Sequence, residues 1–228
     1  MIKAAIFDID GTLVDSVDFH ARAWQEALAR FGRDVPYEQV RGQIGKGGDQ
    51  LLPVFFSPEQ LARFGEDIVE YRSQLYKKEY LPRVQAFPEV RALMLRLDAD
   101  GRQIVLASSA KQDELTAHKQ IARIEDLLKD ETSADEVERS KPHPDIFAAA
   151  LAKLDDVETD EAVVIGDTPY DAEAAGKIGL KTIGVLCGGF PEADLRAAGC
   201  IAIYRDPADL LARYDASPLG RSAKGTAG

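Results

Sequence analysis

The chain has 228 residues, 45% of them hydrophobic, which is enough for one large domain or a core domain with a smaller companion. Its 28 Lys and Arg against 39 Asp and Glu give a net charge of −11, which disfavours nucleic acid or an anionic membrane as a general partner. Cys187 and Cys200 lack metal-site spacing, and Met1 leads into the first predicted strand without a signal peptide or membrane-length apolar run, so we expect a cytoplasmic protein with free thiols.

The first predicted strand, residues 4–7, is apolar and ends in two carboxylates, Asp8 and Asp10. Because alternate residues of an extended chain point the same way, these side chains are expected to project together. Carboxylates so placed need solvent, a basic partner or a cation. A turn that is acidic by chance is the alternative at this point.

The next segment, residues 15–84, has a helical pattern of apolar residues and no convincing strand pattern. It is interrupted at residues 45–48 and at Ser57-Pro58, where Ser57 suits a helix N-cap and Pro58 the first helical position. We therefore predict a helical cap domain over 15–84. The catalytic core is expected over 1–14 and 85–216, and the Gly-, Ala- and Ser-rich residues 217–228 are expected to be a disordered tail.

Beyond the cap, helical and strand patterns alternate. The helices are expected at 90–99, 112–121, 144–154, 171–179 and 192–198, and the strands at 102–107, 127–129, 162–165, 181–187 and 200–204. Such alternation is typical of a parallel sheet with helices on both faces. The predicted fold class is α/β, with a three-layer Rossmann-like core and an inserted α-helical cap.

Polar residues follow several of these strands, and loops at the carboxyl ends of parallel strands meet in one crevice. The residues expected there are Asp8, Asp10, Ser108, Lys141, Asp167 and Asp171. So many carboxylates favour a divalent cation, and oxygen ligands without a His or Cys cluster favour a hard ion such as Mg²⁺. The ammonium group of Lys141 and the hydroxyl of Ser108 suit a phosphate group.

Four segments, in this order, resemble the motifs of the haloacid dehalogenase superfamily of aspartate-nucleophile phosphotransferases. They also resemble its subfamily with a helical C1 cap, which includes phosphoglycolate phosphatases and β-phosphoglucomutases. The matching segments are residues 8–16, Ser108, Lys141 within Ser-Lys-Pro-His-Pro-Asp, and residues 166–171. The resemblance covers roughly residues 2–205, and four motifs in order make coincidence improbable.

The resemblance implies a role for each motif residue. Asp8 would be the nucleophile and Asp10 the general acid and base. Mg²⁺ would be bound by Asp8, Asp167 and the backbone carbonyl of Asp10. The phosphoryl oxygens would be held by Ser108, for which Ser109 competes, and by Lys141. Asp171 would orient Lys141 or a metal-bound water, or would only cap the following helix.

Three cap residues are further candidates. His20 lies in a segment similar to one of β-phosphoglucomutase, where a histidine assists the acid/base aspartate; a structural helix histidine is the alternative. Gly45 and Lys46 lie where the family has its substrate-specificity loop, although a flexible connector would look the same. His118 is expected to be exposed to solvent.

These observations predict a Mg²⁺-dependent phosphatase that acts on a small phosphorylated metabolite, without nucleic acid, membrane or organic cofactor, as a monomer or homodimer. The alternative is a β-phosphoglucomutase-like isomerase of a sugar phosphate. Against the alternative, residues 166–171 read Gly-Asp-Thr-Pro-Tyr-Asp, whereas the mutase form of this motif pairs Glu with Asp.

Overall fold

The computed structural model describes residues 1–220. The strands are β1 (Ala4–Phe7), β2 (Val14–Asp15), β3 (Gln85–Ala86), β4 (Gln103–Ala107), β5 (Asp130–Thr132), β6 (Ala162–Gly166), β7 (Lys181–Val185) and β8 (Ala202–Tyr204). The helices are α1 (Val17–Arg30), α2 (Tyr37–Arg41), α3 (Gly48–Leu51), α4 (Pro58–Leu75), α5 (Val90–Ala99), α6 (Gln112–Ala122), α7 (Asp145–Ala152), α8 (Pro169–Gly176), α9 (Glu192–Ala197) and α10 (Pro207–Ala212).

Six strands form a parallel sheet in the order β5-β4-β1-β6-β7-β8. Side chains of the central strand alternate between two hydrophobic layers, as the two-residue period of a strand requires. Ala4 and Ile6 pack with residues of α7 and α8, whereas Ala5 and Phe7 pack with residues of α5, α6 and α10. The predicted α/β fold class is confirmed.

This strand order determines where the polar loops lie. β1 is hydrogen-bonded to β4 on one side and to β6 on the other. The residues that follow these three strands, Asp8, Ser108 and Asp167, therefore emerge at the same edge of the sheet.

Helices α1 to α4 lie between β2 and β3, and a π-helical turn, Tyr76–Tyr80, continues α4. β2 and β3 pair with each other as a short antiparallel ribbon, so both connections to the inserted helices run side by side. Helix α4 begins at Ser57, whose side chain and that of Gln60 form the reciprocal hydrogen bonds of a capping box. The inserted helices share a hydrophobic cluster of their own that includes Trp24 and Ile68.

Strand β5 and the predicted tail differ from the sequence predictions. Strand β5 is Asp130–Thr132 rather than residues 127–129, because this polar edge strand is set by its pairing with β4 and not by local hydrophobicity. The expected start of a disordered tail at Ser217 is also wrong. Leu219 is fully buried in the main core cluster, and the Ser217 hydroxyl donates to the carbonyl of Tyr214 at 2.6 Å. Residues 221–228 of that expected tail lie outside the described residues.

A search of the described helices for a span long and apolar enough to cross a membrane finds none.

Candidate functional site

A cavity of about 290 Å³ lies at the carboxyl edge of the sheet, between the core and the inserted helices. From the core, its lining includes Asp8, Asp10, Ser109 and Lys141. From the inserted segment, the lining includes His20, Trp24, Gly45, Lys46 and Arg72. The structure therefore brings the first-motif carboxylates together with the predicted cap residues around one space.

Lys141 links two of the carboxylates. Its ammonium group donates to Asp8 Oδ1 and, at 2.8 Å, to Asp171 Oδ1, and all three side chains are buried. Burial lowers the pKa of Lys141, but the charges of Asp171 and Asp8 outweigh this effect and raise the pKa above its ordinary value. Lys141 is therefore held as a cation beside the candidate nucleophile.

Asp167 completes an acidic cluster in which Asp8, Asp167 and Asp171 each place one carboxylate oxygen within 4.8 Å of the others. Thr12 Oγ1 donates to Asp167 Oδ1 at 3.1 Å, whereas Oδ2 is buried and has no hydrogen-bond partner among residues 1–220. Gly11 leaves the space beside that oxygen: its φ is +81°, and an added Cβ would lie 2.4 Å from Oδ2. An unpartnered buried oxygen in such a position is suited to a metal ion.

The charges and pKa values of this cluster also fit a divalent cation. Burial raises the pKa of Asp8 to about 7; Asp171 and Asp10 add to the effect, and Lys141 opposes it. Burial and the charges of Asp8 and Asp171 likewise raise the pKa of Asp167. Three carboxylates against one ammonium group carry an excess of two negative charges, and oxygen donors are the ligands of a hard divalent ion.

Two of the expected metal ligands, Asp8 and Asp167, lie in this acidic cluster. Asp171 belongs to the acidic cluster, whereas the Asp10 side chain belongs to a different group of residues. Ligation through the Asp10 backbone carbonyl stays a prediction. Asp171 also takes part in the capping box of α8, in addition to its contact with Lys141. Its Oδ2 accepts from the Thr168 hydroxyl at 2.7 Å and from the Thr168 backbone N–H at 3.1 Å.

Asp10 lies among hydrogen-bond donors. Its Oδ1 accepts from Ser16 Oγ at 2.6 Å and contacts His20 Nε2 at 2.8 Å, and His118 Nδ1 lies 3.4 Å away. Burial raises the pKa of Asp10, but the charges of His118 and His20 and the hydrogen bonds from His20 and Ser16 outweigh it. The pKa is therefore held well below its usual range. This arrangement favours the ionised form of Asp10 when no substrate is bound.

The expectation that His118 is exposed is wrong. The side chain is fully buried, its Nε2 is 2.9 Å from the hydroxyl of Tyr76, and burial lowers its pKa. The spacing of α6 carried the signal for this position, because His118 lies three residues after Leu115 and four before Ala122, both of which are buried.

Sequence reasoning also missed Arg72 and Glu114. The guanidinium of Arg72 donates from Nη1 to both carboxylate oxygens of Glu114, at 3.0 and 3.2 Å, and from Nη2 to His20 Nδ1. Arg72 is on α4 and Glu114 on α6, 42 residues apart. A local pattern cannot reveal such a pair, because the two residues meet only when the inserted helices pack on the core.

The two candidate phosphate serines have different surroundings. Ser108 is fully buried, and its Oγ accepts the backbone N–H of Ala110 at 3.1 Å. Ser109 lines the cavity, and its buried hydroxyl has no hydrogen-bond partner within residues 1–220. Both remain candidates, since the hydroxyl proton of Ser108 is still available for donation.

Gly45 and Lys46 lie on the cap side of the cavity. Gly45 has a φ of +104°, and an added Cβ would lie 2.6 Å from Cγ2 of Thr168, so only glycine allows this loop to approach the fourth motif so closely. Lys46 donates to Gln43 Oε1 at 2.7 Å and lies over the ring of Tyr170, 4.7 Å from its centroid.

The chain is similar to known proteins in both sequence and fold. Residues 5–185 match a family model described as haloacid dehalogenase-like hydrolase. A phosphoglycolate phosphatase of Yersinia pestis is 31% identical over 191 residues, which cover 82% of this chain and 82% of that protein. Protein SUPPRESSOR OF QUENCHING 1, chloroplastic, of Arabidopsis thaliana is 31% identical over 209 residues; they cover 90% of this chain but only 20% of the Arabidopsis protein.

Among solved structures, the crystal structure of a hydrolase from Pseudomonas syringae superposes with a TM-score of 0.84 at 31% sequence identity. The match covers 93% of this chain and 98% of that one, so the inserted helices as well as the sheet are shared.

Proposed function

The chain belongs to the haloacid dehalogenase-like hydrolase family, and we propose that it is a Mg²⁺-dependent phosphatase. Its substrate would be a small phosphate monoester, hydrolysed through an aspartyl-phosphate intermediate on Asp8. One observation carries the proposal: Asp8 and Asp10 leave the same strand end but enter opposite environments, an acidic cluster for Asp8 and a set of hydrogen-bond donors for Asp10. Two carboxylates at one strand end that lie in such different environments can take different roles, here those of a nucleophile and an acid/base group.

In the first step, a carboxylate oxygen of Asp8 attacks phosphorus, and the bond from phosphorus to the ester oxygen breaks. The leaving oxygen takes a proton from Asp10. Because Ser16, His20 and His118 all approach Oδ1 of Asp10, Oδ2 is the oxygen left to carry that proton.

In the second step, Asp10 acts as a base. It takes a proton from a water molecule, whose oxygen attacks phosphorus, and the bond between phosphorus and Asp8 breaks. This releases inorganic phosphate and restores both carboxyl groups. The contacts to Oδ1 orient Asp10 for this step and leave Oδ2 free to take the proton.

The residues that would hold Mg²⁺ are Asp8, Asp167 and the backbone carbonyl of Asp10, with Asp171 beside them. When bound, the ion supplies positive charge that lets an anionic nucleophile meet an anionic phosphate. The unpartnered Oδ2 of Asp167 supports this assignment.

Lys141, Ser108 and Ser109 would hold the phosphoryl oxygens, the first as a fixed positive charge and the others as hydroxyl donors. The cavity of about 290 Å³ is at the lower end of the usual range for small-molecule sites, which supports a small substrate. Gly45 and Lys46 would contact its non-phosphate part from the cap side.

The mutase alternative is less favoured. Residues 166–171 read Gly-Asp-Thr-Pro-Tyr-Asp, whereas the mutase form of this motif pairs Glu with Asp. The Yersinia relative is a phosphatase by name. The discriminating observation would be interconversion of sugar phosphates in the presence of a bisphosphate activator.

The test is phosphate release from a panel of small phosphomonoesters with Mg²⁺, measured for the wild type and for Asp8→Asn. We expect the wild type to release phosphate and Asp8→Asn to lose roughly 10⁴-fold or more in kcat, since the nucleophile is removed. Asp98→Asn, an exposed carboxylate on α5, is the matched control and should keep full activity. A wild type that releases no phosphate from any ester, or an Asp8→Asn variant as active as the wild type, contradicts the proposal.

A further inference from the structure

A chain of four side chains crosses twice between the inserted helices and the core. Glu114 and Asp10 belong to the core, whereas Arg72 and His20 are on α4 and α1. Arg72 donates to Glu114 and to His20 Nδ1, and His20 Nε2 contacts Asp10 Oδ1 at 2.8 Å. The candidate acid/base residue is thus connected to Glu114 through two residues of the cap.

The chemistry of arginine decides which nitrogen of His20 carries the proton. A guanidinium group has only donors, so His20 Nδ1, which faces Arg72 Nη2, must accept. In the neutral ring the single proton is then on Nε2, where it donates to Asp10. Without Arg72, the other tautomer becomes available, and it would turn a lone pair of Nε2 toward the carboxylate.

Arg72 itself is held firmly in place. Glu114, whose side chain is 1% exposed, accepts from Nη1 with both oxygens and also from the hydroxyl of Ser73 at 3.3 Å. The guanidinium lies over the rings of Trp24 and Tyr76, 5.2 and 5.0 Å from their centroids. A planar group held by a buried carboxylate and two aromatic rings has little freedom to leave His20 Nδ1.

The same contact argues against a second metal site. Asp10, His20 and His118 each place a ligand atom within 4.8 Å of the others, which is a geometry that could hold an ion. A metal would need the lone pair of His20 Nε2, and Nδ1 would then carry a proton pointing at the donors of Arg72. The contacts of His20 therefore favour hydrogen bonding to Asp10 over metal binding.

We propose that Arg72, anchored by Glu114, is a positioning residue that fixes His20 as the tautomer donating from Nε2 to Asp10. The arrangement is complete only when the inserted helices are seated on the core, because both the His20–Asp10 and the Arg72–Glu114 contacts cross that boundary. The inference rests on the proposed function in so far as Asp10 acts as acid and base.

The first test compares leaving groups. Arg72→Met should lower kcat/KM about 10- to 100-fold for an alkyl phosphate, whose leaving oxygen needs a proton, and less than about 3-fold for para-nitrophenyl phosphate. Arg63→Met, an exposed arginine on the same helix, is the matched control and should change neither value. Equal losses on both esters would indicate a merely structural role and overturn the inference.

The second test asks whether Arg72 acts through His20. The double variant Arg72→Met/His20→Ala should be within about 2-fold of His20→Ala alone on the alkyl ester, since the two residues form one unit. Independent, multiplying losses contradict the proposal. If Arg72→Met does not fold, Arg72→Lys keeps the charge and should give a smaller loss with the same preference for alkyl over aryl esters; no such preference overturns it.

The third readout does not depend on activity. Nitrogen NMR of the full chain, with His20 assigned by its absence in His20→Ala, should show the wild-type proton on Nε2 and a mixture of tautomers in Arg72→Met. An unchanged tautomer overturns the inference even if the enzyme is a phosphatase. If the wild type releases no phosphate, the proposed function fails, while the tautomer measurement still decides the role of Arg72.

Discussion

Asp8 and Asp10 are two residues apart, yet they lie in opposite electrostatic environments on the two sides of the crevice. One side is the cation side, where Asp8 shares a buried space with Asp167, Asp171 and the single ammonium group of Lys141. Burial there raises the pKa of Asp8 to about 7. On the proton side, Asp10 accepts from donors, and its pKa is lowered. A buried carboxylate short of partners attracts a cation or a proton, whereas a carboxylate surrounded by donors stays ionised without a cation.

The two sides also differ in where their residues come from. Every member of the acidic cluster, and Lys141 with it, belongs to the core: Asp8 and Asp167 follow strands, Asp171 is in the first turn of α8, and Lys141 precedes α7. The proton side combines Asp10 and His118 of the core with His20 and Arg72 of the inserted helices. We infer that the position of the cap controls proton transfer more directly than it controls cation binding.

The largest expected effect is a loss of activity that leaves cation binding intact. Asp10→Asn should lower kcat for an alkyl phosphate about 10³-fold, because the proton donor and acceptor is lost. Its cation-dependent rise in melting temperature should persist, because the acidic cluster is intact. Steady-state kinetics measures the loss of activity, and thermal unfolding with and without Mg²⁺ measures the retained cation response. A variant that loses the Mg²⁺ response together with activity would show that the two sides are not separate.

The second effect concerns pH and the cation. In the unfolded chain Asp8 loses its proton near the ordinary pKa of 3.8, whereas in the folded protein its pKa is about 7. The ionisation of Asp8 therefore lowers the stability of the cation-free protein as pH rises between these two values. Mg²⁺ binds the ionised form. Saturating Mg²⁺ should therefore raise the melting temperature by roughly 5–10 °C at about pH 8 and by much less at about pH 5.

Asp167→Asn provides the control for this measurement. It removes a buried carboxylate with a raised pKa, so the cation-free protein should be at least as stable as the wild type, and the response to Mg²⁺ should disappear at both pH values. A shift that is equal at the two pH values in the wild type, or that survives in Asp167→Asn, would place the cation elsewhere.

The smallest effect tests the contact between the cap loop and the fourth motif. Gly45→Ala forces a Cβ against Thr168 and a positive φ on alanine, which should cost about 1–3 kcal/mol and raise KM up to roughly tenfold. Gly32→Ala is the matched control, because its φ is +81° but nothing lies within 4 Å of the added atom. If both variants change KM equally, the close approach of the loop has no role in binding.

Much of the cation side could be predicted from the sequence. Asp8 and Asp167 follow apolar strands directly, and Asp171 is in the first turn of the helix after Asp167. The rule that parallel strands end at one edge brings these segments together. The sequence pattern could not predict that Asp171 both caps α8 and accepts from Lys141, because both contacts depend on side-chain distances.

The proton side could be predicted only in part. His20 was a candidate through its resemblance to the mutase segment, but Arg72 and Glu114 are distant in the chain and ordinary for exposed helix surfaces. His118 was misjudged because its polarity outweighed its position on the buried face of α6. Contacts made when two helical layers meet depend on packing, and a single sequence does not specify how the layers meet.

The most direct test of the division between nucleophile and acid/base residue is to trap the phosphoryl group. Asp10→Asn is mixed with Mg²⁺ and para-nitrophenyl phosphate, whose leaving group needs no proton, quenched in acid and cleaved after Lys3 and Arg22 for mass spectrometry. We predict one phosphoryl group on Asp8 in the peptide of residues 4–22, because the step that needs a base is blocked. Phosphorylation of another residue, or an unmodified peptide from a variant that still releases nitrophenol, would contradict the account.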